Sequence, residues 1–258
     1  MLSIIIPVLN EAETIAELLN YLSENLSGEN DIELIFVDGG SNDETLERIH
    51  DFSKIILKDP STALRLTVLN SEKGRARQMN RGVQAASGDI LYFMHADSFP
   101  PKNFDRYILS EVKKGNPAGC FRMKFDSDHW WLKLAGWLTQ FRWRACRGGD
   151  QSQFITKELF VEIGGFDETY TIYEDNILIN ELYKRKKFAV IQKCITTSAR
   201  LYRQKGVWNL QYHFWAIYVK RWFGADADEL YQYYLKHIKQ ANSTEISEEK
   251  FSNQVAEN

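Results

Sequence analysis

The sequence predicts an α/β fold with a mostly parallel central sheet and helices on both faces. Three observations support this. In the first hundred residues, short apolar runs alternate with segments of helical periodicity in the order β-α-β-α-β-α-β. The strand segments are apolar throughout rather than alternating, so both of their faces must be covered, as in parallel sheets. Polar and acidic residues gather just past the strand ends, where sheets of this kind bind ligands.

The elements follow in order. Leu2–Val8 is a buried strand ended by Pro7 and Asn10, and Ile15, Leu18, Leu19, Leu22 and Leu26 repeat at helical spacing. Ile32–Val37 is the second strand, and Ser41 with Glu44 reads as a capping box for a helix running to Phe52 or beyond. Leu64–Leu69 is the third strand. A helix from about Arg75 to Ala86 stops at Ser87–Gly88, and Ile90–Met94 is the fourth strand. Farther on, Ala118–Phe125 reads as a strand and Trp130–Trp143 as an aromatic-rich helix. The short helices Lys157–Ile163 and Glu174–Lys187 flank the turn Gly164–Asp167. Strands at Phe188–Ile191 and Ile195–Ser198 precede helices at Val207–Phe223 and Asp228–Lys239. No linker or repeat interrupts the chain. The expectation is one domain over residues 1–240, with halves 1–98 and 99–240, and a flexible polar tail over 241–258.

Composition narrows the function. Thirty-two Lys and Arg against 35 Asp and Glu give a net charge of −3, which does not suit a nucleic-acid binder. Only Cys120, Cys146 and Cys194 occur, in no CxxC pair, so a disulfide framework or structural zinc is not expected and a cytoplasmic setting fits. No apolar run approaches the ~18 residues of a membrane span. The first strand leads to Pro7-Val8-Leu9-Asn10-Glu11 instead of GxGxxG, and neither a Walker A loop nor GxSxG is present.

What the strand ends carry is Asn10-Glu11, Asp38-Gly39-Gly40-Ser41 and His95-Ala96-Asp97. Imidazole and carboxylate together can hold one divalent cation, Mg2+ or Mn2+, beside a phosphorylated ligand. The plainer reading makes Asp97 a helix cap. Lys73, Arg75, Arg77 and Arg81 surround a helix start, where cations oppose the dipole, so an anionic ligand such as a diphosphate is indicated. In the basic run Lys184–Lys205, Arg200 and Arg203 are the better ligand candidates. Glu174-Asp175 either complements a helix dipole or supplies a general base, both acids being ordinarily ionised at neutral pH.

Taken together, the blocks IIIPVLNEAETI, IFVDGGSNDET, GRARQMNRG, GDILYFMHADS, GGDQSQFITKELFVEIGGFDE and YEDNILINEL resemble the inverting family 2 glycosyltransferases of GT-A fold, in the expected order across residues 2–190. GRARQMN, HADS, GDQSQF and TTSAR look like one bacterial subgroup. The resemblance implies a nucleotide-sugar donor on residues 1–98 and an acceptor half on 99–240. Pro7, Asn10, Glu11, Asp38 and Gly40 would line the base and ribose pocket. Arg75, Arg77 and Asn80 would face the diphosphate, and Asp97 with His95 would hold the metal. Asp150, Gln151, Arg200 and Arg203 would serve the acceptor or the diphosphate, and Asp175, beside Glu174, would be the base. The motif departs from DxD in carrying His95, and Met79 precedes Asn80 where many relatives have arginine. No QxxRW motif is present, so transfer of one sugar, from a UDP-linked donor, is the expectation. The rival readings are a sugar-nucleotide nucleotidyltransferase, which would carry a glycine- and lysine-rich loop after the first strand, and a non-catalytic nucleotide-binding relative. Trp208, Tyr212, Trp215, Val219 and Trp222 form one stripe of the 207–223 helix. That stripe suits either a core or the inner face of the cell membrane, the latter with a lipid-linked acceptor.

Overall fold

The structure is a computed structural model and describes residues 1–56 and 64–239. The expected tail, 241–258, lies outside the described residues. In chain order the elements are β1 (Leu2–Val8), α1 (Ala12–Asn25), β2 (Ile32–Asp38), α2 (Thr45–Ile56), β3 (Leu64–Asn70), α3 (Arg75–Ala85), β4 (Ile90–Phe93) and β5 (Ser98–Phe99). There follow α4 (Phe104–Lys113), β6 (Ala118–Phe125), α5 (Trp130–Leu138), β7 (Gln153–Thr156), α6 (Lys157–Ile163), α7 (Glu174–Lys184), β8 (Ala189–Thr197), α8 (Arg200–Lys205), α9 (Val207–Trp222) and α10 (Ala227–Tyr234).

One eight-stranded sheet has the order β3-β2-β1-β4-β7-β6-β8-β5. The first four of these strands are all parallel, as their apolar sequences require. Beyond β4 the sheet is mixed, because β7 runs antiparallel to both β4 and β6 while β6 and β8 are parallel. Two cores cover its faces. One joins Ile4, Ile6, Leu34 and Tyr92 to α1, α2 and α4. The other joins Ile5, Val37 and Phe93 to α3, α6 and α7. At Gly82 on α3 an added Cβ would lie 2.5 Å from Ile5, so this helix packs on the sheet at a distance only glycine permits.

Several boundaries differ from the sequence reading. Ser41 does not cap α2; its hydroxyl donates to Asp38 at 2.5 Å, and α2 begins at Thr45, whose N–H donates to Asp43 at 3.0 Å. A true capping box occurs instead at Asp226 and Glu229. The aromatic helix stops at Leu138 rather than Trp143, since the Thr139 hydroxyl donates to the Gly136 carbonyl at 2.6 Å and accepts the Met123 N–H at 2.9 Å. The two late strands are one. A bulge in the β6–β8 register takes up the polar residues that broke the apolar pattern. The short elements β5, α4, β7 and α8 had no counterpart in the sequence reading.

By compactness the described residues form two units, one within Met1–Glu168 and Tyr173–Ser198, the other Thr169–Ile172 with the residues from Ala199 to 239. In the second unit Leu210, Ile217, Leu230 and Ile238 are buried, and Lys220 lies over the Tyr233 ring. Its α9 leaves Trp208, Tyr212, Trp215, Val219, Trp222 and Phe223 exposed, the last two at 84%.

Candidate active site

Strand order reverses between β1 and β4, and the β1–β4 ladder stops at Ile5–Phe93. Pro7, beyond that point, owes no ladder hydrogen bond on this side, and the carboxyl ends of the two strands are where a ligand crevice is expected. Gln78 of α3, buried, ties β1 to β2 there by donating to the carbonyls of Val8 at 2.9 Å and Val37 at 2.7 Å. The loop after β1 is laced to the loop after β2. Asn10, in the left-handed region at φ 55°, donates its N–H to Ser41 and accepts from the Asn42 N–H, both at 2.9 Å. The Glu11 N–H donates to Thr45 at 2.8 Å.

Asp38 is buried, and its carboxylate accepts from the N–H groups of Gly40 and Ser41 and from the Ser41 hydroxyl. It shapes this turn, with Gly40 at φ 93°.

The chemistry concentrates around Arg75 at the start of α3, which acts electrostatically on His95, Asp150, Glu174 and Asp175. His95 follows β4. Burial, and then Arg75, push its imidazole down to about 3, so it is neutral at physiological pH. Its Nδ1 lies 3.9 Å from Asp150 Oδ1, a contact between a neutral ring and a carboxylate rather than an ion pair. Desolvation raises the Asp150 pKa, Arg75 lowers it and Asp97 raises it. Because its side chain is 58% exposed, water screens all three influences.

Glu174 and Asp175 open α7. Burial raises both carboxyl pKa values. Asp175 raises Glu174 further, Arg75 opposes the rise in both, and Asp150 adds to it. Glu174 is the more confined, at 1% exposure, and its Oε1 has no hydrogen-bond partner among the described residues. The sequence pattern predicts both acids ionised at neutral pH; burial shifts both toward the protonated form. Asp175 stands against the backbone of the loop before β7, where a Cβ on Gly149 would come within 1.9 Å of its Oδ2.

That loop is held by two arginines that sequence reasoning passed over. Arg147, buried, donates to the carbonyl of Thr139 at 2.6 Å, to Gln151 Oε1 at 2.7 Å and to the Phe141 carbonyl. Arg144 reaches α7, donating to Asn176 Oδ1 at 2.9 Å and Asn180 Oδ1 at 2.6 Å. The visible signal was three arginines in the six residues before Gly148-Gly149-Asp150.

The other residues expected at the site have the following places. Arg77 pairs with Glu72 at 2.7 Å on the surface. Asn80 clasps the turn before α7, accepting the Phe166 N–H at 3.0 Å and donating to its carbonyl at 2.9 Å. Gln151 is buried, fixed by Arg147 and by its own bond to the Cys146 carbonyl at 2.6 Å. Arg200 and Arg203 belong to α8 in the second unit.

Asp97, neutral His95 and Asp150 are of the donor types a divalent cation takes, carboxylate oxygens and an imidazole nitrogen. Among the described residues no three such side chains close a cage alone, so a ligand would have to complete the coordination.

The chain has relatives among known proteins. A glycosyltransferase in PGL/p-HBAD biosynthesis from Mycobacterium bovis (strain BCG) is 40% identical over 186 residues, covering 68% of this chain and 66% of the relative. The chain thus spans just under two thirds of the length of such relatives. Among solved structures, the mannosyltransferase PcManGT from Pyrobaculum calidifontis, in complex with GDP-Man and Mn2+, superposes with a TM-score of 0.65 at 17% identity, over 91% of this chain and 69% of that one. TarS of S. aureus, residues 1–349 with UDP-GlcNAc, gives 0.59 at 17% identity, over 76% and 58%. These two show the same fold. Residues 3–210 match the domain described as glycosyl transferase family 2, and the chain belongs to that family.

Proposed function

We propose that this protein moves one sugar from a nucleoside diphosphate donor to an acceptor hydroxyl, with inversion and with Asp175 as general base. The observation that carries the reading is the cluster on the carboxyl edge of the sheet. It combines a carboxylate backed against Gly149, a neighbouring buried acid, a central guanidinium, and His95 with two carboxylates. Asp175 takes the proton from the acceptor hydroxyl as its oxygen attacks the anomeric carbon from the face opposite the diphosphate. Arg75 neutralises charge as the nucleoside diphosphate departs. Asp97, His95 and Asp150 would hold a divalent cation, Mg2+ or Mn2+, which when bound adds to that neutralisation.

Pro7, Asn10, Glu11 and the Asp38–Gly40 turn line the base and ribose side of the crevice in this reading. A uridine donor follows from the resemblance. The neighbours carry GDP-Man in one case and UDP-GlcNAc in the other, so the fold itself does not choose the base. Calorimetry with UDP and GDP in the presence of Mn2+ decides, and tighter GDP binding would overturn the uridine assignment. Release of nucleoside diphosphate from a panel of sugar donors, with and without metal, tests the reaction; no release from any donor would leave a binding protein only.

The exposed indoles and phenols of α9, with Lys220 and Arg221 beside them, support reversible contact with the inner face of an anionic membrane and a lipid-linked acceptor. Among the described residues no helix is long and apolar enough to cross a membrane. Sedimentation with anionic vesicles at low salt is the test, and protein remaining in the supernatant would refute membrane contact.

A further inference from the structure

A second cavity, of about 200 Å³, lies within the first unit between α5 and the paired strands β6 and β8. None of its lining residues belongs to the acidic cluster. Its walls include Phe125, Leu132 and Trp137, and three cations reach it: Arg122 and Lys124 from β6 and Lys133 from α5. The register shift between Phe121 and Arg122 interrupts the β6–β8 ladder at this place. Helix α5 lies close on β6, since a Cβ on Gly136 would stand 2.9 Å from the Met123 carbonyl.

Two features mark the cavity as a site. Arg122 Nε is buried with no hydrogen-bond acceptor among the described residues, and such a donor is costly unless something accepts from it. Among the described residues no acid lines the cavity to balance its cations. Lys133 pairs at 2.8 Å with Asp128, which is fully exposed and binds it weakly. The geometry points to a ligand with an anionic head on an apolar body: we propose that an organic phosphate or carboxylate binds here. Its oxygens accept from Arg122 and Lys124 while its apolar part lies against Trp137, Phe125 and Leu132. A guanidinium edge suits both phosphate and carboxylate oxygens. The volume is below the ~300 Å³ at which ordinary small-molecule pockets begin, so one ring with its charged group fits and a nucleotide sugar does not.

The test reads binding and is independent of transferase activity. Calorimetry on the full chain uses phenyl phosphate, benzoate, inorganic phosphate and phenol as probes. Saturable binding of phenyl phosphate or benzoate is expected, tighter than that of inorganic phosphate or phenol, and the stronger of the two names the head group. Lys124→Gln, at an exposed position, should weaken it about tenfold, as should Arg122→Gln where that variant folds. Arg75→Gln, which alters the acidic cluster, should leave it unchanged. Absence of saturable binding, equal binding of phenol or inorganic phosphate, or loss in Arg75→Gln with none in Lys124→Gln would each overturn the proposal.

Discussion

Replacing Gly149 with alanine tests the placement of Asp175 without touching its carboxylate. The new Cβ would stand 1.9 Å from Asp175 Oδ2, and separations under 3.0 Å do not persist, so the carboxylate must retreat by about 1 Å or rotate away. The obstructing atoms are the end of a side chain, and Gly149 does not have a positive φ, so the fold can absorb the change cheaply. Chemistry cannot. A misplacement of ~1 Å costs on the order of 10²-fold in rate, near the lower end of the ~10²–10⁴ that a general base supplies. That loss corresponds to about 2.7 kcal/mol of barrier. The assay is steady-state release of nucleoside diphosphate, with donor affinity by calorimetry and the melting temperature measured on the same samples. Turnover should fall about 100-fold while donor affinity and melting stay close to wild type. Gly119→Ala is the contrasting control: its Cβ would lie 2.4 Å from the Ala189 carbonyl, which is backbone and cannot swing aside, so stability should be lost. Turnover of Gly149→Ala within about threefold of wild type, in a folded protein, would refute Asp175 as the base.

Three further outcomes follow from the same geometry. Asp175→Asn should lower turnover by about 10²–10⁴ with donor affinity little changed, and wild-type turnover should fall on acidification at a pH above the ordinary aspartate range, because the Asp175 pKa is raised; an active Asp175→Asn with a dead Glu174→Gln would move the base to its neighbour. Asp97→Asn should weaken Mn2+-dependent donor binding and abolish most turnover, measured by calorimetry with and without chelator; wild-type activity undiminished in chelator would remove the metal from the mechanism. Glu174, whose pKa is raised on folding, binds more protons folded than unfolded above the ~4.3 of a free glutamate. Stability must therefore fall as pH rises from there through the raised value, and melting from pH 5 to 8 should show a smaller fall in Glu174→Gln than in wild type.

Much of the parallel half was legible because each of its elements answers to a local rule. Continuous apolar runs become β1, β2 and β4, and Ile15, Leu18, Leu19 and Leu22 all face the core from α1. The breaks in legibility share a cause. Gln192 and Lys193 interrupt an apolar pattern, yet β8 continues through them because β6 accommodates a bulge. Ser41 obeys the capping-box spacing, but the Asp38 carboxylate is a stronger acceptor within reach.

For the site, sequence alone determined that His95 and Asp97 stand past a strand end, from chain order and the rule that such ends face ligand, and that Glu174-Asp175 opens a helix. It also determined the family, through motifs whose order is a one-dimensional property. Tertiary structure decided what each group is free to do. Asn80 and Gln151 hold loops through their side-chain hydrogen bonds, and Arg144 and Arg147, unremarkable in sequence, anchor the loop that brings Gly149 against Asp175. The division between Glu174 and Asp175 is of the same kind. Adjacent carboxylates are equivalent along the chain, and only the fold buries Glu174 almost completely, with no hydrogen-bond partner for its Oε1 among the described residues, while setting Asp175 against Gly149. Burial and hydrogen-bond competition depend on groups distant in sequence, so no local pattern encodes them.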